Sequence, residues 1–126
     1  MTFLPITSYD AVRPDPGAIV PFIGERAALL LAYSVSVGAS SAVPSAFYRR
    51  ILVDRGEDAE NPQVTEAEQL LIDWGREVGR NPAAIDPELR SRIEGAFSVP
   101  LRSELLSFAA AVVASGVVAS AAGLEP

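Results

Sequence analysis

Cysteine, histidine and lysine are all absent from this sequence. Without thiols there is no disulfide framework and no sulfur nucleophile, and without imidazole the usual proton shuttle and metal ligand of neutral pH is missing. Serine hydroxyls then have neither His nor Lys to take their proton, so covalent serine catalysis lacks its base. Neither a metal nor an organic cofactor is expected. Positive charge is confined to ten Arg against sixteen acids, a net charge of −6, and the one basic doublet is Arg49 and Arg50. Such a field disfavours nucleic acid and anionic membrane surfaces as partners. The start, MTFLPITSYD, has no basic-then-apolar signal pattern, and a cytoplasmic location is expected.

Apolar sequence, by contrast, is abundant. Leu105 to Leu124, LLSFAAAVVASGVVASAAGL, is twenty residues without a charge, seven of them Ala. Its start is marked by FSVPLRSE, with Ser98 as N-cap and Pro100 in the first turn. The run has no polar face, which leaves a helix wrapped by protein or a membrane span. Ala, Ser and Gly make up twelve of the twenty, and neither Trp nor Tyr flanks the segment, which favours a buried helix in a bundle over a span. With 49% hydrophobic and 21% charged residues in 126, more apolar surface is present than one small domain hides. Self-association through the segments 22–37 and 99–122, as a dimer or an assembly of dimers, is the expected remedy.

In chain order, residues 1–21 carry Pro5, Pro14, Pro16, Gly17 and Pro21 and predict an extended arm, with a short helical turn after Pro16. Residues 22–126 then form a single all-helical domain of five to six helices. Ala27 to Val37 suits a buried helix broken near Gly38 and Pro44, although the alternation in SVSV leaves a strand open. A helix over 44–54 ends before Gly56, and the acids Glu57, Asp58 and Glu60 read as a solvated loop. Thr65 and Glu68 form a capping box for a helix over 65–79, with Leu70, Leu71, Trp74 and Val78 on one face. Asn81 and Pro82 stop it, Asp86 caps a helix over 87–96, and the long helix spans 99–122. No strand pair competes, so the architecture expected is an all-α helical bundle.

From Val64 onward the order of landmarks resembles the C-terminal half of the carboxymuconolactone decarboxylase and alkylhydroperoxidase D superfamily. Those landmarks are Glu68, the Asn81 and Pro82 pair, Ala96 to Ser98, Glu104 with Leu105, and Ala122 with Gly123. The resemblance implies an alkylhydroperoxidase D-like, oligomeric bundle with a site between the first long helix and its neighbour. It also implies what has been lost. The Cys-x-x-Cys-x-x-x-His of the redox members would fall on Ser40, Val43 and Phe47, their acid on Ala28 with Glu25 three residues away, and an Asn-Arg pair on Gly116 and Val117. A thiol–disulfide relay cannot run on these residues.

The residues left to line such a site are hydroxyl-bearing. Tyr33, Ser36 and Ser40 stand at i, i+3 and i+7, a polar stripe on an apolar helix, and Tyr48 follows the bend at Pro44. Tyr33 would donate a hydrogen bond, Ser36, Ser40 and Tyr48 would orient a substrate, and Glu25 or Asp54 would carry a proton. Two functions stay open. One is a cofactor-independent lyase, isomerase or cyclase acting on a small apolar organic acid or polyketide-like molecule. The other is a non-catalytic structural or partner-binding member of the same group, in which Tyr33 is a core ring and the serines bond to carbonyls one turn back.

Overall fold

Residues 6–126 are described by the computed structural model; Met1 to Pro5, and with them the first proline of the expected arm, lie outside it. Among the described residues six α-helices form and no strand. They are α1 (Val20–Ile23), α2 (Glu25–Gly38), α3 (Ala42–Asp54), α4 (Glu66–Arg80), α5 (Pro87–Ala96) and α6 (Val99–Ala122), with 3-10 turns at Tyr9–Ala11 and Pro82–Ala84.

The boundaries follow local chemistry. Thr65 Oγ1 accepts from the Glu68 amide at 3.1 Å, and a Glu68 carboxylate oxygen accepts from the Thr65 amide at 2.9 Å, so both donors at the start of α4 are satisfied. Asp86 caps α5 and Ser98 caps α6, each with Pro in the first turn. The segment 22–37 is divided between two helices, and the helix expected from Ala27 to Val37 starts at Glu25. Gly24, at φ +89°, takes a conformation open mainly to glycine and turns the chain between α1 and α2. SVSV is helical throughout, its Ser34 and Ser36 hydroxyls donating 2.7 Å bonds to Leu30 O and Ala32 O.

The core is centred on α2. Its most extensive contact is with α4, and α3 and α6 cover its other sides, so most of α2 is buried within its own chain. The α2–α4 crossing is close because Gly38 lies against the Arg76 backbone and Gly79 against that of Val35; a Cβ at either position would overlap a carbonyl oxygen. Trp74, Leu71 and Val78 of α4 meet Leu30, Leu31 and Val35 of α2 in one continuous apolar cluster. α6 is buried along Leu105, Phe108, Ala109, Val112, Ser115, Gly116 and Ala119, and its opposite side is open.

The arm is part of this core. Tyr9 and Ile19 are among the most completely buried side chains, and the Tyr9 amide donates to Glu125 O at 2.8 Å while the Glu125 amide donates to Thr7 O. The two ends of the described chain are thus joined by one parallel bridge, Ser8 to Glu125. In the acidic loop after α3, Asp58 and Glu60 are exposed as expected, while Glu57 is half-buried. Arg26 of α2 reaches Glu57 with two bonds of 2.7 and 3.0 Å, Glu68 at 2.7 Å and Gln63 O at 2.6 Å. One guanidinium fork therefore ties the 57–63 loop and the start of α4 to α2.

Candidate functional site

The arm turns sharply after leaving Tyr9. Asp15 accepts from the Gly17 amide at 2.9 Å, and Pro16 O receives the amides of Ile19 and Val20 at 3.0 Å each, which folds residues 13–19 into a strap. Its near end is held by aromatic packing. The Tyr9 ring stands edge-on to Phe47 and to Tyr48, at 5.1 and 5.8 Å, and the Arg13 guanidinium sits 5.4 Å from the Phe47 ring centre. Arg13 is held there by Asp10 at 3.0 Å. The Tyr9 hydroxyl lies 2.7 Å from Ser115 Oγ of α6 and 3.4 Å from the Tyr48 hydroxyl of α3, and Ser115 donates to Val112 O.

Between this strap and the bundle lies a cavity of about 330 Å³. Ala28 and Ala32 of α2 line it with the smallest side chains of its floor. Leu29, Tyr48 and Phe108 complete an apolar floor, and Arg13, Asp15 and Glu25 stand at its edge. This size and this division of apolar lining from a few polar groups suit a small organic ligand. Burial, and then the hydrogen bond with Tyr9, push the Tyr48 phenol well above its ordinary range. At neutral pH it is a hydrogen-bonding group and not a base. Every buried side-chain nitrogen and oxygen among the described residues already has a hydrogen-bond partner.

The six residues read from the sequence are distributed over the molecule. Tyr48 and Glu25 line the strap cavity together, Glu25 being exposed and 3.4 Å from Arg55. Tyr33 lines a different, polar cleft of about 150 Å³ with Glu60, Asn61, Gln69 and Arg76. Burial first, then the nearby Glu60 carboxylate, raise its phenol above the ordinary value. Ser36 is buried and bonded to Ala32 O, and Ser40, exposed at φ +55°, lies in the turn past the end of α2. Asp54 is exposed at the end of α3. The Tyr33, Ser36 and Ser40 stripe thus reaches no common cavity, because α2 ends at Gly38 and its sides face different neighbours.

Sequence reasoning passed over Tyr9, Arg13, Asp15 and Phe108. The run of Pro14, Pro16 and Gly17 did announce a tight turn, but nothing local tells that it folds back over α2. A further open cleft of about 380 Å³ between α4 and α5 mixes Arg76, Arg80 and Arg92 with Asp73, Glu77 and Asp86 and has the character of a solvated charged face. No family model, curated protein or solved structure matches this chain.

Proposed function

We propose that this chain is a binding domain that holds a small, largely apolar organic molecule beneath its N-terminal strap, without chemistry of its own. The observation that carries this reading is the strap cavity, whose floor is Ala28, Ala32, Tyr48 and Phe108 while its charges stand at the edge. Its Tyr48 hydroxyl belongs to a satisfied buried network, which fixes the wall rather than offering a reactive group. The reading is that of a thiol-free relative of the carboxymuconolactone decarboxylase superfamily. The landmark order supports that kinship, with Glu68, Asn81, Ser98 and Gly123 all falling at helix boundaries.

A panel of small aromatic and alicyclic carboxylates with their neutral amides, followed by amide chemical shifts, tests it. Binders are expected to move the signals of Arg13, Gly17, Ala28 and Ala32, and Ala32→Leu, which fills the floor, is expected to abolish those shifts with the fold retained. A panel that leaves these signals unmoved at millimolar concentration refutes the reading.

One observation favours a second reading, a cofactor-independent enzyme: Tyr48 and Glu25 line one cavity. There Glu25 would exchange a proton with the ligand and Tyr48 would donate a hydrogen bond. If a binder is turned over, Glu25→Gln is expected to cut turnover at least tenfold, about 1.4 kcal/mol in barrier, at unchanged affinity. Unchanged turnover removes Glu25 from the chemistry.

A further inference from the structure

α6 is apolar on both sides of its circumference. Opposite its buried side, Val99, Leu106, Ala110, Ala114, Val117 and Ala121 are exposed, Val99 by 65%, Leu106 by 51% and Val117 by 66%. At the helical repeat these positions share one face, with half-buried Val113 beside Ala114 at its midpoint. The face carries no charge between Glu104 and Glu125. Single exposed apolar residues need no explanation. An apolar face unbroken from Leu106 to Ala121, about 24 Å of helix, does.

We propose that this face packs against the same face of a second copy, antiparallel, about a two-fold axis passing between Val113 and Ala114. The register follows from size. With the axis there, Leu106 lies opposite the partner's Ala121, Val117 opposite the partner's Ala110, and Val113 opposite the partner's Ala114. Leu106, Val113 and Val117 then each enter the space above an alanine, the condition for close approach of two helices. Charge points the same way. Arg102, at the start of α6, comes to the far end of the other helix, where the last carbonyls and Glu125 concentrate negative charge. A parallel pairing would instead set Arg102 against Arg102 and Leu106 against Leu106, with helix dipoles aligned. One helix pair of this length covers on the order of 1,000 Å² in total, the lower end for a specific interface. An interface of this size is small, and association is therefore to be read at high protein concentration.

The absence of native cysteine makes the register directly readable in the full chain. Under mild oxidation, Leu106→Cys mixed with Ala121→Cys is expected to give a crosslinked dimer, and neither variant alone is expected to do so. In sedimentation, Val117→Glu and Ala110→Arg are each expected to weaken association at least tenfold, with helix content and melting temperature unchanged. Mixing the two is expected to restore it, since the new charges then face each other. A wild-type chain that stays monomeric at several hundred micromolar overturns the proposal. So does self-crosslinking of Leu106→Cys, which signals parallel pairing. Flotation of the wild-type chain with neutral phosphatidylcholine vesicles would assign the face to lipid instead and overturn it as well.

Discussion

Arg26 is the residue on which the loop between α3 and α4 depends. It is one of two charges at the start of an otherwise apolar segment, and its fork takes Glu57, Glu68 and a backbone carbonyl at once. The hydrogen bond from Arg26 holds the Glu57 carboxyl below its ordinary 4.5. For Glu68, burial works toward a higher value, but the Thr65 amide and Arg26 together outweigh it and the net shift is downward. Because both folded values lie below the unfolded one, the unfolded chain binds more protons in between. The stabilisation is present above pH 4.5 and is lost as pH falls through the folded values. Arg26→Met is therefore expected to lower the melting temperature at pH 7, and the gap to wild type is expected to narrow as pH falls below 4.5, read by thermal melts across pH. A gap that stays constant with pH would mean that the packing of the side chain, not its charge, holds the loop.

At the scale of elements, glycine sets how near α2 and α4 come. Gly79→Ala would drive a Cβ into the Val35 carbonyl and to 2.8 Å from the Ala39 amide nitrogen, both backbone atoms that cannot rotate away. A cost of about 1–3 kcal/mol is expected, as for other overpacked sites. Gly95 of α5 meets nothing within 4 Å, so Gly95→Ala is expected to stabilise by up to about 1 kcal/mol through helix propensity. Urea denaturation of the two variants should give opposite signs. The starts and stops of α4, α5 and α6 were legible in the sequence, because caps such as Thr65, Asp86 and Ser98 act within one turn of themselves. The split at Gly24 was not, since nothing local separates a glycine inside a helix from one that turns the chain.

Across the whole molecule the arm and the bundle share one apolar core. Ile19 is 1% exposed, and its neighbours come from segments distant in sequence. Ile19→Ala is expected to cost about 2–5 kcal/mol in a single cooperative unfolding transition. A loss near zero, or a separate early transition, would show that the strap is merely laid on the surface. The same integration ties the strap cavity to the stability of the fold. Tyr9 is bonded to Ser115 across 106 positions of sequence, so an arm that lifts must break a buried hydrogen bond as well as expose Ile19.

The sequence by itself determined the helical class, most helix limits and the chemistry that is missing. These follow from composition, from caps and from a 3.6-residue period, all of which are short-range. Only the tertiary structure decided which hydroxyls share a cavity. Tyr33 and Ser36, three positions apart on α2, face different neighbours, while Arg13, Tyr48 and Phe108, from three distant segments, line one space. It also decided which side of α6 is covered. The two sides hardly differ in hydropathy, so no pattern along the chain distinguishes them, and the choice falls to the packing of α2, α3, α4 and α5 against Leu105, Ala109 and Val112.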